Sequence, residues 1–423
     1  MSLPKLHIKN HQEIRLVQGH PWIYSNEIAN FAELKPLENG SLVEVYIQKN
    51  KEPVGIAYFN SHQLIAARLL SYKADEKINE DFFVTKFYAA KKLREKFFDK
   101  PFYRLIHSEA DGLGGLVIDR FDNVFSCQIS TAGMEKLSEF LVAALQKVFP
   151  NCAIIFRNDV ESRKFEGLSA ENKIISGEIA DEVICEENGL KFAIDVNAGQ
   201  KTGWFFDQRE NRSFIAKIAK NCDVLDAFCY QGGFGLNAIQ GGAKSVTFID
   251  SSKEALEKVK RNLEINFSEN STENATDKSA AENSITQESR IAAAKKCEFF
   301  NDKTFEVLEK LALEKRQFNI IILDPPAFVK SKKDLFAGLR GYEKLVRLAV
   351  PLLKENGILF LASCSHNVLL HDLIEAANHG LRKGLIGSNR SPKLIRTHGA
   401  SFDHPLHPAL KESEYLKSIT FLV

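Results

Sequence analysis

The spacing of apolar and polar positions changes character twice along the chain. Up to about residue 75, short runs dominate: LHIKN, SLVEVYI (Ser41 to Ile47), GIAYF (Gly55 to Phe59) and LIAARLL (Leu64 to Leu70), separated by turn residues. Such punctuated runs predict short strands and a small β-rich domain. Between Ile78 and Asp99, Ile78, Phe82, Phe83, Phe87, Ala90 and Leu93 recur at helical spacing, with Lys86, Lys91, Lys92, Arg94 and Lys96 interspersed as a solvated face. LVIDR and VFSCQIS then flank Asp122 and Asn123, predicting a hairpin; a helical stretch and AIIFRN (Ala153 to Asn158) follow. This second, mixed unit ends near residue 190.

Beyond it, VLDAF, SVTFID (Ser245 to Asp250), CEFFN, NIIILD (Asn319 to Asp324) and GILFLASC (Gly357 to Cys364) alternate with amphipathic stretches. That alternation predicts a doubly wound, mostly parallel α/β sheet. Ser268 to Ser289, SENSTENATDKSAAENSITQES, has almost no large apolar side chain and predicts a flexible insertion. No internal repeat is present.

A length of 423 residues is enough for two or three domains. The 56 basic and 55 acidic residues leave a formal charge of +1, so nucleic-acid binding would have to come from local patches. The 7 cysteines show no CxxC pairing, which argues against a disulfide framework and a structural zinc site. No metal is expected. MSLPKLHIKNHQEIRL lacks a signal-peptide core and no apolar run approaches the ~20 residues of a membrane span, so the expectation is a cytoplasmic protein without a membrane partner.

Candidate chemistry gathers at strand ends. LDAFCYQGGFG (Leu225 to Gly235) is a strand followed by a glycine turn, and Gly232, Gly233 and Gly235 would let backbone approach a cofactor. Asp250 closes the next strand, where a carboxylate can accept from a ribose, and Asp302 closes CEFFN, where it could accept from an adenine amino group. QGGFG lacks the GxGxxG pattern that a nicotinamide cofactor's pyrophosphate needs. S-adenosylmethionine has no phosphate, and its ammonium suits an acid such as Asp226.

LDPPAF (Leu323 to Phe328) and ASCS (Ala362 to Ser365) close two further strands. Carbon 5 of a pyrimidine is a poor nucleophile until a thiolate adds at carbon 6, and Cys364 is the candidate thiolate. Asp324 would hold the ring at nitrogen 3 and the exocyclic amine. Pro325 and Pro326 present carbonyls only, Phe328 could stack on an extruded base, and Lys330, Lys332 and Lys333 could meet phosphates or simply form a solvated loop. A cysteine ending an apolar strand is more often inert, and Cys127, Cys152, Cys185, Cys222, Cys229 and Cys297 are left in that class. For Cys364 and Asp324, placement in one sheet after a cofactor turn decides for chemistry. His404 and His407 in DHPLHP have no further ligand pattern and are read as packing.

GHPWIYSNEI (Gly19 to Ile28), GIAYFNSHQLIAARLL, ADGLGGLVIDRF (Ala110 to Phe121), GQKTGWFFDQRENR (Gly199 to Arg212), LDAFCYQGGFG, DPPAF, SCS and HPLHPALKESEYLK follow in one order. On these segments the chain resembles the large-subunit ribosomal RNA cytosine-5 methyltransferases that carry an N-terminal PUA domain. The resemblance implies a PUA domain over 1–75, a central α+β domain over 76–190 and a class I, Rossmann-like methyltransferase domain over 191–423. It implies that Asp226, Phe228, Cys229, Gly232, Asp250, Asp302 and Asp324 contact S-adenosylmethionine, with Lys201, Thr202, Phe205, Asp207 and Arg209 from the preceding segment. It further implies ribosomal RNA as partner, Cys364 as nucleophile, Pro325, Phe328 and Lys330 at the substrate, and Trp22, Tyr24 and Arg68 near an RNA-binding face, with core packing the commoner role for Trp22. A homodimer is compatible with this reading.

The chain departs from related RNA cytosine-5 methyltransferases in carrying Ala327 where many have a second cysteine, so another base or water must remove the carbon 5 proton. His366 stands where a small residue is expected, and the insertion loosens the alignment of Asp302. Two rival readings remain: amino-group methylation of adenine or guanine, which DPPAF also serves without a cysteine, and a non-catalytic RNA-binding assembly factor.

Overall fold

In the computed structural model, which describes residues 3–49, 52–197, 199, 202–269 and 285–423, the chain divides into two compact units. The first comprises Met1–Cys185, Ile194–Phe206 and Phe402–Ser413. It begins with β1 (Lys5–Ile8), β2 (Trp22–Tyr24), β3 (Ser41–Ile47), β4 (Pro53–Phe59) and β5 (Ile65–Ser71), in sheet order β1-β3-β4-β5-β2. Alternation along SLVEVYI turns Val43 and Val45 into a core with Leu6, Ile8, Ile23 and Phe59.

A helix follows, α1 (Glu80–Arg94), capped by the Asn79 side chain, which accepts from the Phe82 amide at 3.2 Å. Its apolar stripe, Phe82, Phe83, Phe87 and Ala90, is buried as its spacing predicts. The second sheet joins β6 (Phe102–His107), β7 (Leu116–Phe121), β8 (Val124–Ile129), β9 (Ala153–Arg157) and β10 (Asn172–Ser176) in the order β10-β9-β8-β7-β6, with α2 (Ser138–Val148) between β8 and β9. The β7–β8 hairpin closes over Asp122, whose φ of 56° suits a two-residue turn. Ile56, Tyr58 and Leu70 from the first sheet share one core with Phe83, Leu105 and Ile118, so both sheets belong to one packed body.

Phe402–Ser413 also belongs to this unit, although the sequence pattern leaves it with the third domain. The physical reason is local. Phe402 stacks on Phe97 at 4.7 Å, the Asp403 carboxylate accepts the Arg104 amide at 2.9 Å, and the Asp403 carbonyl accepts from Arg94 at 3.1 Å. His404 is buried, bonded to Asp403 at 2.8 Å and packed on His107.

Arg68 requires a correction. Expected near an RNA-binding face, it is largely buried: its guanidinium donates to Glu109 at 2.8 Å and lies 5.1 Å from the Trp22 ring centre, while Trp22 Nε1 donates to the same Glu109 oxygen at 2.7 Å. Burial alone would raise the Glu109 carboxyl, but Arg68, Ser108 and Trp22 hold it below the usual carboxylate range. One guanidinium nitrogen of Arg68 is thus held by a buried carboxylate.

The second unit, Glu186–Ala193, Asp207–Ser401 and Glu414–Val423, is the α/β part. A ribbon of β11 (Val183–Glu187) and β12 (Leu190–Ile194) leads the chain into it. Then come α3 (Arg209–Ile218), β13 (Asp223–Ala227), α4 (Gly233–Gln240), β14 (Ser245–Asp250), α5 (Lys253–Phe267), α6 (Gln287–Ala294), β15 (Glu298–Asn301), α7 (Thr304–Leu313), β16 (Phe318–Leu323), α8 (Leu335–Ala349), β17 (Leu353–Ser363), α9 (Leu370–Gly384), β18 (Lys393–His398) and β19 (Lys417–Leu422). The sheet order is β15-β14-β13-β16-β17-β19-β18, parallel except for β19. Helices cover both faces, which is why FNIIIL reads as a continuous apolar run. The strand order reverses at β13, and in open parallel sheets the place beyond the carboxyl ends of the strands at such a reversal, here β13 and β16, is where ligands bind.

Of the expected insertion, residues 270–284 lie outside the described residues. Its last part is ordinary structure: Thr286 caps α6 by accepting from the Ser289 amide at 3.2 Å. No helix among the described residues is long and apolar enough to cross a membrane.

Replacing Arg68 by Met leaves Glu109 a buried charge without its cation. The expected loss is about 3–5 kcal/mol of folding stability, read from denaturant unfolding. An unchanged midpoint would show that the pair is dispensable.

Candidate functional site

At the end of β13 the backbone turns through Phe228 (φ 62°), Cys229, Tyr230 (φ 48°) and Gly232 (φ 80°) before α4 begins. Left-handed non-glycine residues cost on the order of 1–3 kcal/mol each and persist where surroundings over-determine them. Here the Tyr230 amide donates to Asp250 Oδ2 at 2.9 Å, Cys229 N to the Ile249 carbonyl at 3.1 Å, and Gly232 N to the Cys229 carbonyl at 2.8 Å. At Gly232 a side chain would need the left-handed conformation and would strike Leu236 at 2.7 Å. Gly235 has a different role from the one expected: a Cβ there would lie 2.1 Å from the Phe248 ring, so this glycine lets α4 settle on the sheet.

Asp226 is fully buried beneath this turn. Its Oδ2 accepts the Gly235 amide at 2.8 Å, whereas Oδ1 is buried without a partner. Burial, opposed by the Gly235 amide and reinforced by Asp324 and Asp250, pushes its carboxyl up to about 8. An orphaned acid oxygen at a switch point fits a ligand ammonium, so the residues present suit S-adenosylmethionine. Asp250, at the end of β14, is aimed by two amides, Tyr230 at Oδ2 and Ser252 at Oδ1, both 2.9 Å, and each oxygen keeps a lone pair for a hydroxyl donor. Asp302 is exposed just after β15 and accepts its neighbour Lys303's amide at 2.8 Å. Phe228 packs partly into the core, and the Cys229 thiol is pushed well up by burial, with Asp226 and Asp250 adding to it; only the Cys229 backbone shapes the turn.

The preceding segment divides. Lys201 lies outside the described residues, and Thr202 and Phe205 fall in the first unit, where the buried Thr202 hydroxyl donates to Asp119. Asp207 is buried in the second unit and accepts the Tyr415 hydroxyl. Arg209 is committed to structure: it shares buried Glu187, at 3.4 Å, with Arg212, which grips both Glu187 oxygens at 2.5 and 2.8 Å. Thr202 and Arg209 thus each have a polar group against a buried carboxylate.

Asp324 follows β16 and accepts from Gln208 Nε2 at 3.0 Å. That bond is oriented by a relay. Arg396 and Ser418 donate to Asn211 Oδ1 at 2.8 and 3.1 Å, so the Asn211 amide donates to Gln208 Oε1 at 2.7 Å and turns the Gln208 amide toward Asp324. Pro325 is buried and Pro326 exposed, while Lys330, Lys332 and Lys333 are exposed beyond them. The Phe328 ring packs 4.8 Å from Tyr342 and 6.3 Å from Phe305, which anchors the loop, and it remains only partly buried.

β17 lies beside β16, with Leu361 opposite Leu323, so Asp324 and Cys364 leave adjacent strand ends. The Tyr342 hydroxyl bonds to Ser363 Oγ at 2.8 Å and Ser365 Oγ at 3.3 Å, and Ser365 Oγ accepts the Val329 amide at 3.3 Å. Both serines are therefore buried, and Cys364 between them is half-exposed. Cys127, Cys152, Cys185 and Cys229 are buried, and Cys222 and Cys297 are partly buried like Cys364; burial raises Cys127, Cys152 and Cys222, and holds Cys297 at about 12. His366 is exposed with its ring 5.5 Å from Tyr415. Gln208, Asn211 and Tyr342 were not singled out in the sequence; Gln208 sits inside GQKTGWFFDQRENR, but nothing local links it to an acid so distant in sequence.

Residues 6–72 match a family of PUA-like domains and residues 150–273 a family of S-adenosylmethionine-dependent methyltransferases. The chain is 36% identical over 411 residues to "Ribosomal RNA large subunit methyltransferase I" of Pseudoalteromonas atlantica, covering 96% of each protein. The protein of the same name from Aliivibrio fischeri is also 36% identical, with 95% of each covered. In fold the chain is similar to a protein from Streptococcus mutans described as an S-adenosylmethionine-dependent methyltransferase, with TM-score 0.77, 21% identity and 100% of both chains covered. A methyltransferase solved with S-adenosylhomocysteine gives TM-score 0.78 at 21% identity, again over 100% of both chains.

The raised Asp226 carboxyl generates a pH prediction. Binding an ammonium requires the carboxylate, so a proton is released on binding below about pH 8. Affinity for S-adenosylmethionine should rise from pH 6 toward that value, approaching about tenfold per unit, and Asp226→Asn should flatten the dependence. Titration calorimetry in buffers of different ionisation enthalpy measures the released proton; none for the wild type would assign the ammonium elsewhere.

Proposed function

The chain belongs to the ribosomal RNA large subunit methyltransferase I family, and from that premise we propose that it transfers the methyl group of S-adenosylmethionine to carbon 5 of a cytosine in large-subunit ribosomal RNA, in the cytoplasm. Cys364 is the nucleophile and Asp324 holds the base. The observation that carries this reading is the half-exposed thiol between two serines turned inward to Tyr342, at the strand end beside Asp324.

Asp226 and Asp250 would hold the cofactor, the first through its open oxygen and the second through oxygens already aimed by amides. S-adenosylmethionine, when bound, supplies an electrophilic methyl group. The chain supplies the rest. Asp324, to which Gln208 donates, accepts from the cytosine amino group and so holds the ring in place for attack. The Cys364 thiolate adds at carbon 6, and the double-bond pair shifts toward carbon 5, which becomes nucleophilic. After methylation a base removes the carbon 5 proton, the double bond re-forms and the thiolate leaves.

Exposed Lys330, Lys332 and Lys333 beside this loop suit phosphate contacts, and the β1–β5 sheet, the part matched by the PUA-like family, is the proposed RNA-docking domain. With Arg68 committed to Glu109, that docking rests on other residues.

Cys364→Ala should reduce methyl transfer to RNA at least about 1,000-fold while S-adenosylmethionine binding stays near that of the wild type. Mass spectrometry of digested RNA should show 5-methylcytidine from the wild type. Full turnover in the variant with a methylated amino group as product would establish the rival chemistry; no cofactor binding by the wild type would favour an assembly factor.

A further inference from the structure

Lys417 opens β19, and its Cα pairs in register with that of Ser363, the residue before Cys364. It therefore rises from the strand beside the one that delivers the thiol. Only 4% of it is exposed, a burial that lysine almost never shows without a carboxylate partner. Its Nζ instead donates to the Tyr415 carbonyl at 3.4 Å, and among the described residues no carboxylate forms an ion pair with it.

We propose that Lys417 is a positioning residue for Cys364, its ammonium sustaining the thiolate that adds to the base. The inference rests on the reading of Cys364 as nucleophile and names what makes that thiol ionise.

The surroundings of both groups support it. Burial lowers the Lys417 ammonium, while Glu414, Asp372 at the start of α9, and Cys364 raise it. Asp372 is engaged elsewhere, accepting the Leu369 amide at 3.0 Å and lying 3.2 Å from His371. The Tyr342 hydroxyl, on α8, bonds to the serines on either side of Cys364; burial raises that phenol, the serine bonds lower it and the Cys364 charge raises it, and a neutral phenol does not oppose ionisation. His366 adjoins the thiol in sequence and packs on Tyr415. A desolvated ammonium with no carboxylate in ion-pair contact, and only the fields of Glu414 and Asp372 upon it, gains from a nearby anion, and by the same coupling the anion's acid becomes stronger.

The chemistry balances without proton transfer by Lys417. The thiol loses its proton to solvent, and a sulfur lone pair forms the bond to carbon 6 as the π pair moves to carbon 5. On release, the carbon 5 C–H pair re-forms the double bond and the sulfur–carbon pair returns to sulfur beside the same ammonium. One fixed cation thus assists both attack and departure.

The test is the pH dependence of Cys364 alkylation by iodoacetamide in the full chain, followed by peptide mass spectrometry, for wild type, Lys417→Met and Lys417→Arg. The wild-type midpoint should lie below the ~8.5 of a free thiol. Lys417→Met should shift it upward by about one unit, slowing alkylation at pH 7 about tenfold, whereas Lys417→Arg should stay near wild type. S-adenosylmethionine binding checks the fold of each variant. A wild-type midpoint at or above that of a free thiol overturns the proposal even if no variant folds. So does a Lys417→Met midpoint equal to wild type in a variant that binds cofactor. Retained methyl transfer by Cys364→Ala would instead remove the nucleophile, an outcome these midpoints do not depend on.

Discussion

Tyr342 joins two loops that carry the chemistry. Its hydroxyl holds Ser363 and Ser365, and Ser365 in turn takes the Val329 amide from the end of DPPAF. Its ring carries Phe328. One buried phenol on α8 thus fixes the loops after β16 and β17 to each other, and strand pairing already sets their spacing. With both serines turned inward, Cys364 between them is only partly buried. A site held this way depends on packing as much as on its reactive groups.

Around it, charge is placed where solvent cannot easily relax it. Asp226 keeps an unsatisfied oxygen in the interior, and Lys417 keeps an ammonium among packed residues. Each costs stability in the free protein, and each is relieved by an opposite charge that the reaction brings: a ligand ammonium for the acid, a thiolate for the lysine. Asp324 is handled differently, with a relay of two amides turning a donor toward it. The first unit uses buried charge for another purpose. Arg68 with Glu109, Arg94 with Asp111 and Arg104 with Asp119 are closed pairs that set loop positions.

Much of the α/β unit was legible because its signals are local. Parallel strands buried on both faces give continuous apolar runs, so VLDAF, SVTFID and NIIILD announced themselves, and the acids at their ends could be named. Strand β18 escaped because it lies at an edge with most side chains exposed and carries no burial pattern. Strand β2, at three residues, is too short for any period to show. The contacts of Arg68 with Glu109 and of Phe328 with Tyr342 were not legible for a shared reason: sequence gives a residue's chemistry but not what packs against it.

The order of strands, the glycine turn, the acids beyond it and the candidate thiol are properties of the sequence by itself, because each depends on residues within a turn or a strand of one another. Which acid keeps an oxygen without a partner, which cysteine sits between two inward-turned serines, and where Phe402–Ser413 packs were decided by tertiary structure alone. Burial and hydrogen-bond occupancy are set by partners far away in the chain, such as Gln208 for Asp324, Glu109 for Arg68 and Tyr342 for the serines. Periodicity carries no information about such distant partners, so chemistry was readable at each position while availability was not.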